Sequence, residues 1–157
     1  MLGKVILSDI LSKACVITDM QANSKIDVIE QLTQSLFEQG AIDNKKGFIA
    51  DVLTREALGS TGFENQIAIP HGKSRWVKET KIAVARLKET VDWETMDSSD
   101  VRLVILFAVK ETDSGVGHIK LLARISIALG DDDVVERLLN ANSQEELYRL
   151  IINNTGE

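Results

Sequence analysis

Cysteine and proline are almost absent from this chain of 157 residues, which contains one of each. A single cysteine, Cys15, excludes an internal disulfide, as suits a reducing cytoplasm, and the apolar residues around it predict a buried side chain. Acidic residues outnumber basic ones by 24 to 18, so the chain lacks the dominant basic face of a general nucleic-acid binder. The longest apolar run, residues 103–109, is too short to span a membrane, and no signal peptide is evident at the N-terminus. We therefore expect a cytoplasmic protein.

Several catalytic signatures are also missing. The two histidines and one cysteine show neither His-x-x-x-His nor Cys-x-x-Cys spacing, which argues against a metal site. No Gly-x-Ser-x-Gly indicates a serine hydrolase, and no Gly-x-x-x-x-Gly-Lys-Ser/Thr indicates an ATP site. We expect no metal and no other cofactor, so a phosphoryl group that reached this chain would arrive on another protein.

What is present indicates one domain over residues 1–157, because the chain has no linker, repeat or low-complexity segment. A short strand is predicted at residues 14–18. Ser24 is a helix-capping residue with Asp27 three positions later, and helically spaced apolar residues follow until Gly40. These apolar residues are Ile26, Ile29, Leu32, Leu36 and Phe37.

A second helix is predicted from Asp43 or Asn44 to Gly59. Residues 67–69, 81–87 and 101–109 read as strands, and the last is almost wholly apolar, as a strand covered on both faces should be. Helices are predicted again at residues 118–129, at 134–139 and after the capping box that begins at Ser143. Helices before and after a block of strands predict an α/β fold with helices on both faces of a sheet.

The one proline precedes a histidine in the run Ile69-Pro70-His71-Gly72. Proline restricts the approach to His71, and Gly72 leaves its flank open, at what we predict to be the end of an apolar strand. A neutral imidazole can accept a phosphoryl or acyl group, act as a base or bind a metal. The alternative is that Pro-His-Gly only forms a turn.

Two further groups are candidates for anion binding. His118 opens a predicted helix and faces the same way as its apolar stripe, so it is either a packed structural histidine or a donor to an anion held by His71. Arg55 lies near the end of the helix predicted to stop at Gly59. It either only interacts with that helix end or binds phosphate with its donor fork. The Gly-Ser-Thr-Gly run at residues 59–62 offers amides and two hydroxyls to an anion, although the motif alone is weak.

The run REALGSTGFENQIAIPHG at residues 55–72 resembles the phosphorylation-site signature of the fructose/mannitol-type enzyme IIA domains of the bacterial phosphoenolpyruvate-dependent sugar phosphotransferase system. The later run GHIKLLA at residues 117–123 resembles the second histidine segment of that family. The resemblance covers nearly the whole chain. One departure is Glu64, where the family usually has Gly or Ala, and we expect its carboxylate to point away from the site.

This resemblance implies a three-layer α/β/α sandwich around a mixed sheet of about five strands. It implies that His71 accepts a phosphoryl group from the histidine phosphocarrier protein and passes it to an enzyme IIB domain, and thus indirectly serves the membrane permease, enzyme IIC. Arg55 and His118 would flank the phosphohistidine, with Ser60, Thr61 and Gly72 as phosphate-loop residues, and the resemblance favours Nε2 as the acceptor.

Two other functions stay open. Related enzyme IIA-like domains act as regulators, so the phosphorylation state of His71 would control binding to a partner instead of sugar uptake. The last alternative is an interaction domain without chemistry, which would leave the setting of His71 and Arg55 unexplained.

Overall fold

A mixed sheet of five strands forms the centre of the computed structural model, which describes residues 6–113 and 115–155. The strands are β1 (Val16–Met20), β2 (Ile67–Ala68), β3 (His71–Ser74), β4 (Lys81–Val91) and β5 (Val101–Lys110). The helices are α1 (Leu7–Ile10), α2 (Lys25–Glu38), α3 (Lys45–Leu58), α4 (Gly115–Leu129), α5 (Asp132–Leu139) and α6 (Gln144–Asn154). The predicted α/β class and mixed five-stranded sheet are confirmed.

The strands β2 and β3 act as one interrupted strand along the same edge of β5. Both run parallel to β5, with Ile67 opposite Leu103 and His71 opposite Phe107. Pro70 lies in the interruption, where it has no N–H to donate, but its carbonyl accepts a hydrogen bond of 2.9 Å from Phe107 N. On the other edge of β5, β4 runs antiparallel to it, and β1 lies parallel to β4. The interruption therefore places His71 at the start of a new strand segment.

Both faces of the sheet are buried, because alternate side chains of the central strands enter two separate apolar clusters. On β5, Leu106 and Ala108 join the cluster beneath α2 and α3, whereas Ile105 and Phe107 join the cluster beneath α1, α4, α5 and α6. This arrangement confirms the predicted three-layer α/β/α sandwich.

Side-chain caps define the predicted helix starts. Ser24 Oγ accepts from Asp27 N at 3.1 Å, Asn44 Oδ1 accepts from Gly47 N at 2.9 Å, and Ser143 Oγ accepts from Glu146 N at 3.1 Å. Each bond satisfies an amide that has no partner within its own helix. The beginnings of α2, α3 and α6 are therefore confirmed.

Several predictions about the first half of the chain were wrong in detail. The strand predicted at residues 14–18 begins only at Val16, after a 3₁₀ turn over Lys13–Cys15. Ile26 and Phe37 remain 48% and 41% exposed instead of entering the core, because they lie at the edges of the apolar face of α2. The short helix α1 was not predicted.

Two helices of the last third, α4 and α5, begin earlier than predicted. The structure starts α4 at Gly115, so His118 lies within its first turns instead of opening it. Likewise, α5 begins at Asp132, where the Asp131 carboxylate caps it by accepting from Asp133 N and Val134 N. No helix within the described ranges has the length and apolar character needed to cross a membrane.

Candidate functional site

His71 is the first residue of β3 and is partly buried. We predicted it at the end of a strand over residues 67–69, but β2 ends at Ala68 and His71 begins the next segment. Gly72 does not simply leave a flank open. A Cβ there would lie 2.8 Å from Val52 Cγ2, so the glycine allows β3 to pack closely against α3.

Both ring nitrogens of His71 have partners. Nδ1 lies 3.1 Å from the carbonyl oxygen of Ile69, and Nε2 lies 3.1 Å from Arg55 Nε. A carbonyl oxygen can only accept and a guanidinium nitrogen can only donate, so Nδ1 carries the proton and Nε2 presents its lone pair. The surroundings of the ring therefore select the neutral Nδ1–H tautomer, in which Nε2 is the nucleophilic atom.

Arg55 reaches His71 from the last turn of α3. Its Nε donates to His71 Nε2, and its Nη1 donates to the carbonyl oxygen of Gly59 at 2.8 Å. The alternative that Arg55 only decorates a helix end is therefore wrong. A guanidinium beside a nucleophilic nitrogen places positive charge where an incoming anion would sit.

The two histidines, which are far apart in sequence, line the same cavity of about 290 Å³. Its lining residues are His71, Lys73, Phe107, Val109, His118, Ile119 and Leu122. Lys73 was not predicted as part of the site. It lies two residues after His71 on β3, and alternate residues of a strand share a face, so a prediction of β3 would have indicated it.

His118 lies near an acidic group. Its side chain is 14% exposed, and its Nε2 lies 4.0 Å from Asp113 Oδ2. The Asp113 carboxylate also accepts from the Thr80 hydroxyl at 2.5 Å, which links the start of β4 to the segment before α4. His118 is therefore largely buried and lines the same cavity as His71, and its role as a donor to an anion stays a prediction.

The hydroxyls at residues 59–62, which we call the Gly-Ser-Thr-Gly loop, have partners other than an anion. Ser60 Oγ donates to Glu94 O at 2.6 Å, and Thr61 Oγ1 donates to Glu56 Oε1. Two loop amides are also bonded, Thr61 N to Glu56 Oε1 and Gly62 N to Ser60 Oγ. Each hydroxyl has one proton to donate, so this conformation leaves neither the Ser60 nor the Thr61 hydroxyl proton for an anion. Phosphate binding by Ser60, Thr61 and Gly72 stays a prediction.

Glu56 was missed by sequence reasoning, although it directly follows Arg55. It is 8% exposed, and its Oε2 lies 2.9 Å from Lys25 Nζ at the start of α2. A buried carboxylate needs a counter-ion and hydrogen-bond donors, and Lys25 and Thr61 supply both. Only the helical register of α3, which turns Glu56 inward, could have indicated this role.

Glu64, the departure from the resembled signature, lies away from His71 as expected. Its carboxylate lies beside Gly130, just after the C-terminal end of α4, whereas His118 belongs to the N-terminal part of that helix. Its negative charge therefore does not face the lone pair of His71 Nε2.

The arrangement suits nucleophilic attack on an electrophile that carries negative charge. It provides an unprotonated imidazole nitrogen, a guanidinium in contact with it and a second imidazole across the cavity. Within residues 6–113 and 115–155, no group of three or more His, Cys, Asp or Glu side chains could hold a metal ion.

Comparisons with known proteins agree on the family. Residues 9–154 match the family model described as the phosphoenolpyruvate-dependent sugar phosphotransferase system, EIIA 2. The chain is 36% identical over 134 residues to the 2-O-alpha-mannosyl-D-glycerate-specific EIIABC component of Escherichia coli K12, a match that covers 85% of this chain and 20% of that protein. The chain thus spans about a fifth of the length of that relative.

A second relative is similar over most of its length. The nitrogen regulatory protein of Escherichia coli K12 is 32% identical over 153 residues, which cover 96% of this chain and 91% of that one. Among solved structures, a complex of enzyme IIAMtl with phosphorylated enzyme IIBMtl from Escherichia coli matches with a TM-score of 0.76 and 24% identity, over 90% of this chain and 96% of the matched chain. The chain therefore belongs to the EIIA 2 family of the phosphoenolpyruvate-dependent sugar phosphotransferase system.

Proposed function

We propose that this protein is a cytoplasmic phosphoryl carrier, in which His71 Nε2 accepts a phosphoryl group from the histidine phosphocarrier protein and passes it to an enzyme IIB domain during sugar uptake. The single observation that carries the proposal is the hydrogen bonding of the His71 ring, with Nδ1 toward Ile69 O and Nε2 toward Arg55 Nε. This pattern leaves a lone pair on the nitrogen next to a cation.

In the proposed step, the Nε2 lone pair attacks the phosphorus in line as the phosphorus–nitrogen bond of the donor phosphohistidine breaks. The bonding electron pair returns to the donor's imidazole, and the proton of His71 stays on Nδ1. The carbonyl oxygen of Ile69 stabilises the positive charge that develops on the ring. Transfer to the acceptor reverses these roles, so no net proton transfer and no metal are required.

The flanking residues would stabilise the phosphoryl oxygens. Arg55 must leave Nε2 as the new bond forms, and its guanidinium can then donate to the oxygens. His118 faces the same cavity as a second imidazole, and Lys73 adds a positive charge at the cavity lining. These groups hold the phosphoryl group by reversible hydrogen bonds, as a carrier that must release it requires.

The partners follow from the same proposal. A solved Escherichia coli complex joins an enzyme IIAMtl of this fold to phosphorylated enzyme IIBMtl, and the name EIIABC places three components in one relative. We propose an enzyme IIB as the acceptor for this chain, with enzyme IIC served indirectly.

Labelling of the two histidines tests the proposal. Incubation with phosphoenolpyruvate, enzyme I and the phosphocarrier protein is expected to add one acid-labile phosphoryl group, measured by intact mass. His71→Ala should remain unlabelled, whereas His118→Ala, the matched control at the other histidine, should label at a rate about ten to a hundred times slower. Labelling of His71→Ala at the wild-type level would contradict the proposal.

Regulation is the second candidate function, and one observation favours it. The nitrogen regulatory protein of Escherichia coli K12 is 32% identical to this chain over 153 residues, close to the 36% identity of the EIIABC relative over 134 residues. Affinity capture with phosphorylated and unmodified protein distinguishes the two functions. Binding that depends on phosphorylation, to a protein other than an enzyme IIB, supports regulation, whereas phosphoryl loss to an enzyme IIB supports transport.

A further inference from the structure

A buried carboxylate lies one residue from Arg55, and the phosphoryl chemistry proposed above makes no use of it. We propose that Glu56 and Thr61 are positioning residues that hold the His71 ring in its Nδ1–H tautomer and hold Arg55 against Nε2. This inference rests on the proposed role of His71 for its catalytic consequence, whereas the claim about the tautomer stands on the hydrogen bonds alone.

The Glu56 side chain is itself held in place by burial and by an ion pair. It is 8% exposed and paired with Lys25, whose Nζ lies 2.9 Å from Oε2. Its Oε1 accepts from both the amide and the hydroxyl of Thr61. The carboxylate therefore joins α2, α3 and the Gly-Ser-Thr-Gly loop at one point, and Thr61 has little freedom to move.

The first connection runs from Thr61 to Nδ1 of His71. The carbonyl oxygen of Thr61 accepts from Ile69 N at 3.0 Å, and the carbonyl oxygen of Ile69 faces His71 Nδ1 at 3.1 Å. Thr61 thus holds the backbone of Ile69, the residue whose carbonyl oxygen requires a proton on Nδ1. A displacement of Thr61 would move this acceptor and allow the proton to occupy Nε2.

The second connection runs through the loop to Nε2. Gly59, two residues before Thr61, accepts from Arg55 Nη1 at 2.8 Å, and Arg55 Nε donates to His71 Nε2 at 3.1 Å. The position of the loop therefore sets the position of the guanidinium. Both nitrogens of the imidazole depend on the same pair, Glu56 and Thr61.

The charge of Glu56 supports a positioning role over direct phosphate binding. A carboxylate repels a phosphoryl group, and the one hydroxyl proton of Thr61 is already donated to Glu56. The pair can therefore influence phosphoryl transfer only through the groups that it holds.

The test compares Thr61→Val, which removes the hydroxyl at nearly constant volume, with Thr61→Ser, which keeps it. The matched control is Thr54→Val on α3, where the hydroxyl donates to Ala50 O at 2.9 Å. Two readouts are required: the ¹⁵N chemical shifts of the His71 ring, and kcat and KM for transfer from the phosphocarrier protein. Thermal unfolding of each variant establishes that it is folded.

In the wild type, we expect separate ¹⁵N shifts for a protonated Nδ1 and an unprotonated Nε2. In Thr61→Val the two shifts should move toward each other, and kcat should fall about tenfold to a hundredfold while KM changes less than about threefold. Thr61→Ser and Thr54→Val should keep the wild-type shifts and rates. If Thr61→Val does not fold, Glu56→Gln provides the same comparison, since it removes the anionic acceptor.

Wild-type shifts and kcat in both Thr61→Val and Glu56→Gln would overturn the inference, as would a protonated Nε2 in the wild type. The failure of the proposed function looks different. A wild-type protein that cannot be phosphorylated refutes the carrier function, while the ring shifts still decide whether Thr61 controls the tautomer.

Discussion

One segment, residues 59–66, is held at its two ends by carboxylates in opposite environments. Near His71, the buried Glu56 accepts from the amide and the hydroxyl of Thr61, and Lys25 neutralises it. At the far end, the exposed Asp97 accepts from Asn65 N at 3.0 Å, from Ser99 N at 3.1 Å and from the Ser99 hydroxyl at 2.7 Å.

Asp97 and Glu56 accept similar hydrogen bonds, but the consequences differ because one carboxylate is exposed and the other is buried and linked to His71. The Asp97 end fixes a tight bend, in which Asn65 and Gln66 have left-handed φ values of 58° and 69°. The Glu56 end adds a counter-ion and two hydrogen-bonded connections to one imidazole. Disruption of the first end should affect local stability alone, whereas disruption of the second should affect stability and chemistry together.

Among these substitutions, Gly62→Ala should reduce the free energy of unfolding the most. A Cβ at Gly62 would lie 1.8 Å from the carbonyl oxygen of Glu94, so the backbone must shift. We expect a loss of about 3 kcal/mol in the free energy of unfolding and slower phosphoryl transfer, because the shift moves Thr61. The control is Gly59→Ala, where a Cβ would meet nothing within 4 Å. Urea unfolding measures the stability of both variants, and equal stability would contradict the packing argument.

A smaller effect is expected for Lys25→Met, which leaves the Glu56 carboxylate buried without its counter-ion. We expect a loss of about 2 kcal/mol, because Glu56 is largely removed from water while Lys25 retains partial exposure. The matched control is Lys13→Met, which breaks the exposed pair with Glu145 and should cause no measurable loss. If the two variants unfold at the same urea concentration, the buried ion pair does not contribute more stability than the exposed one, and the prediction is wrong.

The smallest effect is expected for Asp97→Asn, and it should depend on pH. The Asn65 amide, followed by the hydroxyl and amide of Ser99, lowers the pKa of Asp97 from 3.8 to about 2. A lowered pKa in the folded state means that the carboxylate contributes stability above the unfolded pKa and loses it as the pH falls toward about 2. The small stability difference between wild type and Asp97→Asn should therefore be present at neutral pH and vanish near pH 2.

Asp97→Asn also tests the independence of the two ends of the segment. The Asp97 contacts reach Asn65, Thr95 and Ser99, and neither Thr61 nor Arg55 is among them. Phosphoryl transfer should proceed at the wild-type rate, measured by the same labelling assay. A rate loss comparable to that of Thr61→Val would show that the two ends are coupled.

Local signals in the sequence were sufficient for much of the fold. The caps Ser24, Asn44 and Ser143 begin their helices because each satisfies an amide within three residues. The almost wholly apolar character of residues 101–109 indicated a strand covered on both faces, as the structure confirms. In contrast, β3 contains Gly and Lys and forms only because β5 provides a parallel edge beside it, so no local pattern predicts it.

The main residues of the candidate site were predictable, but the ion pair and hydrogen bonds of Glu56 were not. His71, Arg55 and His118 were identified from residue type and from resemblance to the family signature. The roles of Glu56 and Lys25 depend on tertiary packing, since their ion pair joins two helices and the paired residues lie 31 positions apart in sequence. The sequence indicated only an anion as a partner for the hydroxyl of Thr61, whereas the fold places the Glu56 carboxylate within its reach.

The most direct test of the account is the identity of the phosphorylated nitrogen. The protein, labelled with ¹⁵N in its histidines, is phosphorylated through the phosphocarrier protein and examined by NMR for the ring nitrogen that gains the phosphorus. The hydrogen bonds of the His71 ring predict phosphorus on Nε2 of residue 71, with the proton retained on Nδ1. Phosphorus on Nδ1 of His71, or on any other residue, would contradict the account.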